Sequence, residues 1–78
     1  MTIKLPGVKN VYITGEHIKL DALLKYASIA STGGEAKILI QNGEVFVGGE
    51  PCEVRGRKVR NGDIVRCGGE TLLVKQRK

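Results

Sequence analysis

The chain has 78 residues, 41% of them apolar and 27% charged, with a formal net charge of +5. This is an ordinary globular composition and a length for one small domain at most, not a disordered tract. No run approaches the ~18 apolar residues of a membrane span. A chain this short buries only ~60% of its unfolded surface, which leaves little room for a deep cofactor pocket.

Residues 1–10 include Pro6-Gly7 and are expected to be an N-terminal leader or turn. The segment Met1-Thr2-Ile3-Lys4-Leu5-Pro6 has no continuous apolar core, so a secretory signal is not expected and a cytoplasmic location is. Val11-Tyr12-Ile13 predicts a short strand, Thr14-Gly15-Glu16 a turn, and Ile18 a second short strand. The period then changes. Leu20, Leu23, Leu24 and Ala27 fall at i, i+3, i+4 and i+7, which predicts a helix over Leu20 to Tyr26 with Lys19 and Lys25 outside its apolar stripe. After the connector Ser28-Ile29-Ala30-Ser31, Thr32-Gly33-Gly34-Glu35 has the form of a capping box. The Thr32 hydroxyl should accept from the Glu35 N–H, and the Glu35 side chain should reach back to Thr32.

A second helix should follow, with Ala36, Leu39 and Ile40 facing the first, Ile38 near the edge of that face and Lys37 on the polar side. Gly43 is placed to end it in the left-handed conformation. Beyond it the pattern alternates as a sheet does. Val45-Phe46-Val47 predicts a strand, Gly48-Gly49 a turn, and Glu50 to Val54 a weaker strand with Pro51 marking an edge. Asn61-Gly62-Asp63 predicts a hairpin turn, Ile64 to Cys67 a strand, Gly68-Gly69 another turn, and Thr71 to Val74 the last strand. The expected fold class is α+β: two short helices packed on a small, bent, mostly antiparallel sheet. The single domain should run over residues 11–75, followed by a basic tail at 76–78.

Charge is unevenly spread. Met1 to Glu53 carries a net −1 and Val54 to Lys78 a net +6. The centre of the excess is Arg55-Gly56-Arg57-Lys58-Val59-Arg60, four cations in six residues between two strand-like segments. Cations held at fixed positions repel one another; a polyanion relieves that repulsion, and release of its counterions drives association. Gly33 and Gly34 at a helix start would offer backbone N–H groups to an anion. Only three aromatic residues are present, Tyr12, Tyr26 and Phe46, and no two glycines are spaced G-x-x-G. The first argues against modules that stack bases on several exposed rings of a sheet, the second against those that clamp a backbone with a G-x-x-G loop. Two cysteines, Cys52 and Cys67, and one histidine, His17, are too few for a four-ligand Cys/His zinc site. The cysteines are expected to be reduced, half-buried thiols.

Three blocks in order carry a resemblance. Leu20-Asp21-x-x-Leu24 comes first, then Gly34-Glu35-Ala36-Lys37-x-x-Ile40-x-x-Gly43-x-Val45-x-Val47, then Arg57-Lys58-Val59-x-x-Gly62-Asp63-x-Val65. Together they span roughly Ile18 to Val74 and resemble the S-four RNA-binding domain with its αL motif, most closely its small stand-alone bacterial form. The resemblance implies an RNA-binding face made by the two helices and the adjoining basic loop. Lys19 stands where the family usually carries the Arg of Arg-Leu-Asp, and Lys37 where it carries Arg or Lys after Glu-Ala. Arg57 and Lys58 fall in its basic stretch. Gly33 replaces a frequent Arg, and Val47-Gly48-Gly49 a frequent Val-Asn-Gly.

The expected function is non-catalytic binding of structured RNA, ribosomal RNA or a ribosomal particle foremost. The expected contacts are Lys19, Lys25, Gly33, Gly34, Lys37, Arg55, Arg57, Lys58 and Arg60, and no cofactor, metal or membrane is implied. A monomer suffices. The rival reading is an adaptor whose basic face docks an acidic protein. A thiol enzyme using Cys52 or Cys67 has only His17 as a base, and Asp21 and Asp63 fall at ordinary helix-start and turn positions.

Overall fold

The computed structural model describes residues 8–77. Residues 1–7 of the leader expected over 1–10, and the terminal Lys78, lie outside the described residues. The elements in chain order are β1 (Val8–Ile13), β2 (Ile18–Lys19), α1 (Leu20–Tyr26), α2 (Gly33–Gln41), β3 (Val45–Val47), β4 (Glu50–Pro51), β5 (Lys58–Val59), β6 (Ile64–Cys67) and β7 (Glu70–Gln76). Five strands form one sheet in the order β1-β7-β6-β3-β4, and β2 pairs with β5 in a separate ribbon. All pairings are antiparallel except β1 with β7, which is parallel. The fold is α+β, as the patterning implies.

The apolar stripe of α1 is its buried side: Leu20, Leu23 and Leu24 are completely buried. Each contributes about 1.5–3 kcal/mol by leaving water, which is what holds a seven-residue helix that propensity alone would not. On α2, Ala36 and Ile40 join the same core and Leu39 is half-buried, while Ile38 is exposed. The sheet closes the core with alternate residues, Val45, Val47, Val65, Cys67, Leu72 and Val74, together with Val11 and Ile13 of β1. Phe46, Ile64, Arg66, Leu73, Lys75 and Tyr12 therefore occupy its outer face, where the Arg66 guanidinium lies 5.8 Å from the centre of the Phe46 ring.

Both helices stop in the same way. At α2 the N–H groups of Gly43 and Glu44 donate to the carbonyls of Ile40 and Leu39, with Gly43 at φ 75°. At α1 those of Ser28 and Ile29 donate to Lys25 and Leu24, with Ser28 at φ 62°. These are Schellman terminations, and the one after α1 uses serine where glycine would be unstrained. Gly48-Gly49 and Gly68-Gly69 form the expected hairpin turns, with positive φ at all four residues, as two-residue turns between twisted strands require.

Several expectations need correction. β1 begins at Val8, so residues 8–10, read as leader, pair in register with Thr71, Leu72 and Leu73. β7 runs on to Gln76, and the Arg77 N–H donates to the Ile13 carbonyl at 2.7 Å, so the described part of the tail is tied to β1. The weaker strand expected over 50–54 is only Glu50–Pro51, at the sheet edge. Asn61-Gly62-Asp63 is a turn but closes no hairpin, because the strands it joins, β5 and β6, belong to different sheets. The reason is anchoring from outside the turn. The Asn61 side chain accepts the Gln76 N–H at 2.8 Å, and the Gly62 N–H donates to the Val74 carbonyl at 2.8 Å.

The thiols are more deeply placed than half-buried, at 7% exposure for Cys52 and 3% for Cys67, and they are unbridged. The Cys52 N–H donates to Val45 from one side while Cys67 pairs with Val45 from the other. Two strand spacings of roughly 4.8 Å therefore separate them, beyond the ~7 Å reach of a disulfide.

Candidate nucleic-acid interface

The basic loop is brought onto the helices by its backbone. The Arg57 carbonyl accepts the Leu20 N–H at 2.9 Å, and the Arg55 carbonyl accepts the Asp21 N–H at 3.1 Å. These two N–H groups open α1 and have no acceptor within the helix. No side chain caps the helix at Lys19, so the loop carbonyls do that work. The β2–β5 ribbon continues the same join, with Lys19 opposite Lys58 and Ile18 opposite the buried Val59. Val59 therefore anchors the segment while Arg57 and Lys58 remain exposed.

Arg55 ties the loop to both helices. Its Nε donates to the Asp21 carboxylate at 2.9 Å, and a side-chain carbon added at Gly33 would meet its Nη2 at 3.9 Å. The Arg55 side chain thus lies across the start of α2. Lys37 follows Gly33 by four residues and projects from the same flank of α2; Lys25 stands in the same relation to Asp21 on α1. Gly34 is in the first turn of α2, a step round the helix from Arg55. Lys19, Gly33, Arg55, Arg57 and Lys58 are therefore assembled around the joined helix starts, with Lys25, Gly34 and Lys37 on the adjoining helix surfaces. Arg60 lies one step past the β2–β5 ladder, in the Arg60–Asp63 turn, where its own N–H donates to the Asp63 carboxylate at 2.8 Å. It is at the margin of the group.

Among the described residues, Lys19, Lys25, Lys37, Arg57, Lys58 and Arg60 form no ion pair; the two that occur are Arg55–Asp21 and Lys9–Glu70. Six of the expected cations thus keep their charge available, while Arg55 is partly neutralised and works as a brace. Sequence reasoning missed this brace. An acid and a base 34 positions apart carry no local signal, although Asp21 stands in the same block as Leu20 and Leu24. The capping box holds on one side: the Glu35 N–H donates to Thr32 Oγ1 at 3.0 Å. The return bond differs, because the Glu35 carboxylate accepts from Ser31, at 3.4 Å, and not from Thr32.

A model of the S4 domain family matches residues 11–75. The chain belongs to the S4 domain family. One relative of this S4-domain protein is the Bacillus subtilis (strain 168) protein named "Probable ribosome maturation protein RlbA", 41% identical over 59 residues, which are 76% of this chain and 83% of the relative. The matched span of the S4 domain takes in both helices, the β2–β5 ribbon and the basic loop.

In this S4-domain protein the surroundings of Cys67 do not prepare it as a nucleophile. Burial pushes the Cys67 thiol up from its ordinary pKa, and the carboxylates of Glu44 and Glu70 push it further in the same direction. A thiol kept protonated is a poor nucleophile and a poor metal ligand. Among the described residues, no three His, Cys, Asp or Glu side chains converge as metal ligands would, and no helix is long and apolar enough to cross a membrane.

Proposed function

We propose that this S4-domain protein is a non-catalytic RNA-binding protein that engages structured ribosomal RNA, free or in a ribosomal particle. Lys19, Lys25, Lys37, Arg57 and Lys58 would contact phosphates, Gly33 and Gly34 would offer N–H groups, Arg55 would brace the loop, and Arg60 would contribute at the edge. The observation that carries this reading is the pair of backbone bonds from Leu20 and Asp21 to Arg57 and Arg55, which fastens the most basic segment beside two helix starts. The ribosomal part of the reading comes from the Bacillus subtilis relative, whose name is that of a ribosome maturation protein.

Cations on a rigid surface read the shape and backbone of a folded RNA; phosphate contacts position it and carry no sequence information. If about five phosphates are engaged, log affinity should fall against log salt with a slope of about −3 to −5. Titration of a fluorescently labelled ribosomal RNA hairpin with the protein at several salt concentrations measures this slope. A flat salt dependence, or no binding at low salt, refutes the proposal. Association with ribosomal particles that survives nuclease digestion would instead favour docking to an acidic protein.

A further inference from the structure

Tyr26 stands apart from the basic group. It is the last residue of α1 and the most exposed aromatic side chain among the described residues, at 62%. It lies off the buried Leu20-Leu23-Leu24 stripe, so the core does not account for it. Its hydroxyl donates to the Tyr12 carbonyl on β1 at 3.2 Å, which tethers the ring across a gap between helix and edge strand.

Three open grooves meet at this ring. One, of about 400 Å³, is lined by Ile18, Ala22 and Lys25; another runs past His17; the third follows β1 to Arg77. The Arg77 guanidinium lies 5.3 Å from the centre of the Tyr12 ring. Lys25 and Arg77 thus flank the two tyrosines with positive charge, and the nearby Lys9 is paired with Glu70. The surface adjoins the proposed interface directly: Ile18 precedes Lys19 in β2, and Lys25 belongs to both.

We infer that Tyr26 is a stacking position for an unpaired nucleotide next to the structured RNA bound by the helices and loop. The inference rests on the RNA-binding reading above and adds a preference for a duplex with a single-stranded extension. A flat ring held by its hydroxyl offers a π-face to any base, and flanking cations attract the phosphates on either side of that base. Lys25 lines one of the grooves and Arg77 another, next to the proposed phosphate-binding face, so charge complementarity selects a nucleotide, whose phosphates these cations attract.

The test compares one RNA hairpin with blunt ends and the same hairpin carrying a four-nucleotide single-stranded extension. Affinities are measured by fluorescence anisotropy at fixed salt, and a 2-aminopurine in the extension reports stacking. The extension should raise affinity about fivefold or more, with quenching of the 2-aminopurine. Tyr26→Ala should abolish the gain while keeping blunt-hairpin affinity, and Tyr26→Phe, which retains the ring but loses its tether to Tyr12, should keep most of the gain. Equal affinity for the two RNAs without quenching overturns the inference and leaves the RNA-binding reading standing. Failure to bind either RNA overturns both. Equal affinities combined with loss of ribosomal-particle binding in Tyr26→Ala would overturn it in favour of a protein contact.

Discussion

The double reversal Arg57→Glu and Lys58→Glu separates local geometry from net charge. Arg57 contributes to the fold through its backbone, accepting from Leu20 at 2.9 Å and donating to Val54 at 3.1 Å, and neither side chain is ion-paired. The fold should therefore survive, with a melting temperature close to that of the parent. If each side chain holds one phosphate, losing both costs about 2 kcal/mol, or roughly 30-fold in affinity. The salt slope should become shallower by about 1.5. The comparison is the pair Arg66→Glu and Lys75→Glu on the outer face of the sheet, which alters net charge by the same amount. Each reversal subtracts two, so both variants go from +5 to +1. Anisotropy with a blunt hairpin should show the loss in the loop variant and a several-fold smaller loss in the sheet variant. Equal losses would mean that the protein attracts RNA by overall charge alone, and the assembled platform would lose its functional meaning.

Three further outcomes follow from local features. Ser28→Gly should stabilise the protein by about 0.5–1 kcal/mol, because Ser28 bears the left-handed strain that glycine avoids; a melting temperature raised by a few degrees checks it. Thr32→Ala deletes the acceptor for the Glu35 N–H and should cost about 1 kcal/mol in a urea titration, with Thr32→Ser restoring most of it. For Cys67, the raised pKa means that the folded state holds the thiol proton more tightly than the unfolded state does. Its contribution to stability is complete below the ordinary thiol range and is lost as pH rises through and above it. Denaturation midpoints should therefore fall less between neutral and alkaline pH in Cys67→Ala than in the parent, and an identical fall would refute the linkage.

What could be read before folding was what neighbours in the chain decide for one another. The span of α1 follows from four apolar positions at helical spacing, the start of α2 from a hydroxyl three residues before an amide, and the two hairpins from glycine pairs that tolerate positive φ. The three-block resemblance reached the family for the same reason, since each block is a local solution to a cap, a turn or a buried stripe. The left-handed residue after α1 escaped notice because serine advertises no such conformation.

Tertiary structure alone decided the rest. The parallel pairing of β1 with β7 joins residues more than sixty positions apart, and the 61–63 turn switches sheets because β7 holds its side chain and backbone from outside. Neither choice is encoded within a window of ten residues. The same holds for the interface: the composition shows a basic segment, but whether its charges gather or scatter depends on where Arg55 and Arg57 offer their carbonyls. They offer them to the unsatisfied amides at the start of α1. A helix end with no cap of its own, closed by a distant loop, sets the position of every charge on that loop, and only the folded chain brings the two together.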